Sequence, residues 1–187
     1  MATRLVLMCA GATRATRSGG FPDPADPLNE GSRAKARAIR LDGPPAACVW
    51  SSPATAARET AIVLGMDAAP CAALRDIDCG AWTGLSFDVV HARAPNDLTA
   101  WLAAPEHGAP GGETMDAVAE RVEPWLRSME PMDQPILAIT HATVIRATIA
   151  AALSIPVTTT LRIDVTPLSI TVLSFNRVWR LQELHRC

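Results

Sequence analysis

Short apolar runs alternate with stretches of helical periodicity along this chain, and that alternation limits its fold more than any other feature. The runs at 4–10, 47–50 and 135–140 are short and almost uniformly apolar, so they read as strands buried on both faces. The first is followed by a loop over 14–28 that holds Gly19, Gly20, Pro22, Pro24 and Pro27. Asn29 then caps a helix through about Arg40, with Ala34, Ala38 and Leu41 on one face, and Pro44 and Pro45 stop it. Pro53 suits the first turn of a helix over 54–64 after the second run. The third run leads into a helix over 142–153, apolar enough to be packed well inside. From Arg162 the chain reads as two or three strands, over 162–165, 169–175 and 178–184, so the terminal hairpin puts an antiparallel strand at a sheet edge. The expected architecture is an α/β three-layer sandwich: a mostly parallel mixed sheet with helices on both faces.

Residues 66–132 form an excursion from this core, placed to cover a site. It is turn-rich to Gly84. Helices follow over 86–93 and 96–102, the second capped by Asn96, and then a loop over 105–112. The clearest helix of the chain runs over 114–129, where Val118, Val122, Trp125 and Leu126 make an apolar stripe at helical spacing. No repeat or linker divides the 187 residues, which suffice for one buried core and are expected to form a single domain over 1–187.

The charge balance excludes some functions. A net charge of −2 offers no electrostatic footprint for nucleic acid or an acidic membrane. Cysteines at 9, 48, 71, 79 and 187 are odd in number and lack metal-ligand spacing, so free thiols in a reducing compartment are expected, with Cys187 exposed at the chain end. No run has the length of a signal-peptide core or a membrane span, so the expectation is a cytoplasmic protein. No cofactor and no metal is implied.

Several segments carry chemistry. The first strand ends in Cys9-Ala10-Gly11-Ala12-Thr13, and Asp26-Pro27-Leu28-Asn29-Glu30-Gly31 precedes the first helix. Ser51-Ser52-Pro53 opens a segment running through Ala56, Arg58 and Thr60-Ala61. Leu74-Arg75-Asp76 leads to Cys79-Gly80-Ala81-Trp82-Thr83-Gly84. Pro110-Gly111-Gly112-Glu113-Thr114 opens the long helix, and Thr140-His141-Ala142 ends the third strand, with Ile145-Arg146 beyond. In this order and spacing they resemble the histidine phosphatase superfamily, the phosphoglycerate-mutase-like proteins, over nearly the whole chain.

That resemblance implies a pocket in which two Arg and two His surround a phosphoryl group, one His being the nucleophile. It places the first Arg at Cys9, the nucleophile at Ala10, the second Arg at Ala56, the second His at His141 and the general acid at Asp76. Gly11, Thr13 and Glu113 would complete the ligand-binding surface. Two absent guanidinium groups are worth roughly 3–6 kcal/mol of phosphate affinity. Loss of a covalent nucleophile costs a hydrolase about 10⁶ in kcat. Arg58 lies on the wrong helical face to substitute, whereas Arg14 and Arg17 could swing in from their loop. Cys9 does not replace the nucleophile, because Cys9 with Arg14 or Arg17 misses the C-x5-R spacing of cysteine phosphatases. The leading expectation is a pseudoenzyme that binds a small molecule, phosphorylated or not, or a protein partner. The alternative is a residual phosphomonoesterase in which His141 and Asp76 activate water.

Overall fold

The structure is a computed structural model and describes residues 2–185. Six strands, β1 (Thr3–Cys9), β2 (Cys48–Ser51), β3 (Ala69–Pro70), β4 (Pro135–Thr140), β5 (Ile170–Asn176) and β6 (Val178–His185), form one sheet in the order β3-β2-β4-β1-β5-β6. The first four of that row are parallel; β5 runs antiparallel to β1, and β6 antiparallel to β5. The helices are α1 (Arg14–Ser18), α2 (Glu30–Ala38), α3 (Thr55–Val63), α4 (Phe87–Arg93), α5 (Pro95–Ala103), α6 (Met115–Met129), α7 (Ala142–Leu153) and α8 (Val157–Thr160).

The sheet is mixed and mostly parallel, as the alternation of runs predicts, and it is buried on both faces. Leu5, Leu7 and Cys9 of β1 face Val118, Val122, Trp125 and Leu126 of α6 and Ile145 and Ile149 of α7. Val6, Met8 and Ala10 face the other way, toward Ala57 and Ala61 of α3. This period-two division of a continuous apolar run creates the three layers. Among the described residues no helix is long and apolar enough to cross a membrane.

Several local expectations need correction. The 14–28 segment is not all loop: Thr13 and Thr16 form a reciprocal capping box that starts α1. In α2, Ser32 and Ala36 are buried, while Ala34 and Ala38 are exposed and Leu41 lies beyond the helix end. An alanine-rich helix carries little phase information, and the Arg33–Glu59 ion pair at 2.9 Å joins α2 to α3. Helix α5 starts one residue earlier than expected, with Pro95 at its first position and Asn96 inside the turn. The strand expected at 162–165 is absent. Arg146 Nε takes the Ile163 carbonyl at 3.0 Å, and the chain bends at Pro167 so that Leu168 N–H reaches the Cys9 carbonyl. Helix α8, just before it, was not foreseen. Cys187 lies outside the described residues.

The 66–132 excursion carries a small core of its own. Cys79, Trp82, Val90, Leu98 and Ala109 gather around Phe21, and a Gly20–Ser86 bridge ties the two segments together. The combined layer stands over the C-terminal ends of β1, β2 and β4.

Candidate functional site

In open parallel sheets, ligand sites form beyond the carboxyl ends of the strands. Here β1, β4 and β2 finish level. Ala10 N–H donates to the Thr140 carbonyl at 2.7 Å, and Ser52 N–H to that of Ile139 at 2.8 Å. Beyond β1 the chain passes Gly11, where a Cβ would stand 2.6 Å from Leu28 Cδ2. Above these ends opens a cavity of about 660 Å³. Cys9, Ala10, Gly11, Thr13, Ala56, Asp76 and His141 all line it, so seven of the eight residues singled out from the sequence meet in one place.

Glu113 is the exception: it stands behind the wall residue Arg75 and does not itself line the cavity. Its Oε1 accepts from Arg75 Nη2 at 2.6 Å and Arg121 Nε at 2.9 Å, and its Oε2 accepts from Asp78 N–H at 3.0 Å. Arg121 also donates to the carbonyls of Ala73, Arg75 and Asp76. The pair thus clamps the 73–78 loop and holds Asp76 at the cavity from behind. Burial pushes the Glu113 carboxyl up, but the Arg121 hydrogen bonds, the Asp78 amide and the charges of Arg121 and Arg75 outweigh it and hold its pKa below the ordinary value.

His141 occupies the cap position of α7 and is held at both ring nitrogens. Nδ1 lies 3.2 Å from Asp76 Oδ2, and Nε2 lies 2.8 Å from Ser52 Oγ. With Nδ1–H donating to the carboxylate, Nε2 accepts the serine hydroxyl. The sequence of groups matches a Ser-His-carboxylate relay. Ser52, however, is fully buried, accepts a further bond from Ala54 N–H at 3.2 Å and does not line the cavity. It steadies the ring and cannot reach a substrate.

The turn after β1 presents no free anion cradle. Gly11 N–H is taken by Thr60 Oγ1 at 3.1 Å, Ala12 N–H by Ser32 Oγ at 2.9 Å and Thr13 N–H by Thr16 Oγ1 at 3.3 Å. Arg14 and Arg17 are exposed on α1 and do not line the cavity, and neither does the exposed Arg58. Cys9 is no thiolate: burial, and then the Asp76 charge, push its pKa up to about 12 against the opposing Arg146 charge and Ala142 amide. Among the described residues no group of three His, Cys, Asp or Glu side chains is placed to hold a metal ion.

Other lining residues were not foreseen as site residues. Phe21, Phe87 and Trp101 form an aromatic wall, with Phe21 centroids 5.0 Å from each of the other two. Asp23, Asp78 and Arg75 complete the charged groups. Phe87 and Trp101 sit inside helices, where aromatic residues read as core, and nothing local marks them or the loop residue Phe21 as cavity walls. Nor does anything local mark Arg121, whose partners lie 8 to 48 residues away in segments that only the fold brings together.

The family model for the histidine phosphatase superfamily (branch 1) matches residues 5–185. A solved structure described as mycobacterial hydrolase 1 is 28% identical, with 98% of each chain covered and a TM-score of 0.82. The mycobacterial glucosyl-3-phosphoglycerate phosphatase, solved with VO3, is 27% identical, with 98% of this chain and 99% of that one covered and a TM-score of 0.84. The alpha-ribazole phosphatase from Shigella flexneri shares the fold at 22% identity and a TM-score of 0.87, over 97% of this chain and 95% of that one. No curated protein sequence matches significantly.

Proposed function

The chain belongs to the histidine phosphatase superfamily, branch 1, and we propose that within it this protein acts by binding a small molecule rather than by transferring a phosphoryl group. One observation carries the reading. At the end of β1, where the family motif would supply a nucleophilic imidazole, the side chain facing the cavity is the methyl of Ala10. Its surroundings agree. The two positions assigned to phosphate-binding guanidinium groups are Cys9 and Ala56, both nine-tenths buried or more. The amides of the following turn are satisfied internally, and Arg75, the arginine on the cavity wall, is paired with Glu113.

A second reading, phosphomonoester hydrolysis by His141 and Asp76, draws on their 3.2 Å contact and their place on the wall. It requires a free imidazole nitrogen to take a proton from water. Ser52 and Asp76 between them engage both.

Phosphate release from a broad panel of phosphomonoesters decides between them, with wild type, His141→Ala and the triple variant C9R/A10H/A56R measured together. The binding reading expects wild type to be no faster than His141→Ala, and the triple variant, if folded, to gain turnover. Wild-type turnover that disappears in His141→Ala overturns it. Cys9 and Ala10 are tightly packed, so A10H alone serves as the milder gain-of-function variant.

A further inference from the structure

The cavity wall has a definite chemistry, and it is not that of a phosphate site. Three carboxylates line it, Asp23, Asp76 and Asp78, against one guanidinium, Arg75, which lies 2.6 Å from a Glu113 carboxylate that it shares with Arg121. Asp76 is engaged by His141. Asp23 accepts from Ala25 N–H and Asp78 from Gly80 N–H, both at 2.8 Å, and neither has a basic partner among the described residues within ion-pair range. The electropositive elements are Arg75 and the N-terminus of α7, which carries no side-chain cap, and the three carboxylates outnumber them. Phe21, Phe87 and Trp101 line the same cavity; Phe21 is buried behind the other two, and Phe87 is more than one-third exposed. A cavity lined by aromatic side chains and by carboxylates without a basic partner suits a cation that carries an apolar body, and disfavours a phosphate dianion. At about 660 Å³ the space suits a drug-sized molecule.

We infer that the cavity takes an organic amine: an ammonium group directed at Asp23 and Asp78, with an aromatic or alkyl body packed on Phe87 and Trp101. This rests on the binding reading above and deepens it, because it gives the emptied pocket a ligand of opposite charge to the one the family motif would hold.

Calorimetric titration of the whole protein near neutral pH and low salt tests it with four probes. Tryptamine is the cation, tryptophol its neutral analogue, indole-3-acetate its anionic analogue, and phenyl phosphate the phosphomonoester. Tryptamine should bind about tenfold or more tighter than tryptophol or indole-3-acetate. Its affinity should fall with added salt and drop roughly two- to fivefold in Asp23→Asn and again in Asp78→Asn. Trp101→Leu should weaken it roughly two- to tenfold. Equal binding of tryptophol and tryptamine, or no binding of tryptamine with phenyl phosphate also inert, overturns the inference and leaves the binding reading standing. Phenyl phosphate that binds more tightly than tryptamine and is hydrolysed overturns both.

Discussion

Arg121 Nε donates to Glu113 Oε1 at 2.9 Å, and the remaining donors of the same guanidinium close on three carbonyls of the loop that carries Asp76. Both side chains are about 15% exposed, so the pair is largely shielded from solvent. Glu113→Gln should cost about 1–2 kcal/mol in urea unfolding, since it weakens charge-assisted bonds without emptying the space. Arg121→Lys should cost at least as much, because an ammonium cannot reproduce the planar fork that reaches two segments at once. Wild-type stability in either variant would mean the loop is held by other contacts.

Acid should release the same clamp. The Glu113 pKa is lowered in the folded protein, so its contribution to stability is complete above the unfolded carboxylate value of about 4.3 and is lost as pH falls through the lower folded value. The stability difference between wild type and Glu113→Gln should therefore shrink below about pH 4. A difference that stays constant through that range would contradict the assignment.

Thiol reactivity should divide the cysteines. Cys9 and Cys79 are buried, with pKa values pushed up to about 12, chiefly by burial and secondarily by neighbouring carboxylates. Cys48 and Cys71 are half-buried. Iodoacetamide at about pH 8 on the native protein should label Cys48 and Cys71 first and spare Cys9 and Cys79 until the chain unfolds, as read by peptide mass mapping. Rapid native labelling of Cys9 would show a more open strand end than the one described.

The Ser52–His141–Asp76 chain should behave as one structural unit. Removing the imidazole leaves a buried hydroxyl and a carboxylate unsatisfied, so His141→Ala should cost about 1–3 kcal/mol. A double-mutant cycle with Asp76→Ala should show coupling of roughly 0.5–3 kcal/mol. Additive losses would mean that the 3.2 Å contact contributes nothing measurable.

Two glycine substitutions should have opposite signs. A Cβ at Gly112 would collide with the Asp78 carbonyl, because the 78–80 and 110–112 loops meet backbone to backbone. Gly112→Ala should destabilise by about 1–3 kcal/mol and disturb the loop bearing Asp76 and Asp78. Gly31 lies in the first turn of α2, exposed, with 3.4 Å to its nearest neighbour, so Gly31→Ala should stabilise by about 0.5–1 kcal/mol. Thermal unfolding of the two variants checks both signs.

Much of this molecule could be read in one dimension. Runs such as 135–140 are uniformly apolar because β4 is buried on both faces, and the stripe through Val118, Val122, Trp125 and Leu126 follows from the helical period of α6. The ordered motifs located seven cavity residues because strand ends of a parallel sheet must converge on one edge. Local reading failed where the signal was weak or the partner distant. Alanine gave α2 the wrong face, and 162–165 lacks the strand partner its composition suggested, since Arg146 and the end of β1 take its neighbourhood.

By itself the chain determined the layered fold, the place of the cavity and the absence of an imidazole at Ala10, because strand burial, helical period and residue identity are properties of short segments. Only the tertiary structure decided that Glu113 faces Arg121 instead of the cavity, that Ser52 holds His141 from behind, and that Phe21, Phe87 and Trp101 line one cavity with Asp23 and Asp78. Those relationships join segments far apart in sequence, and they exist only once burial of both sheet faces has fixed where each loop must return.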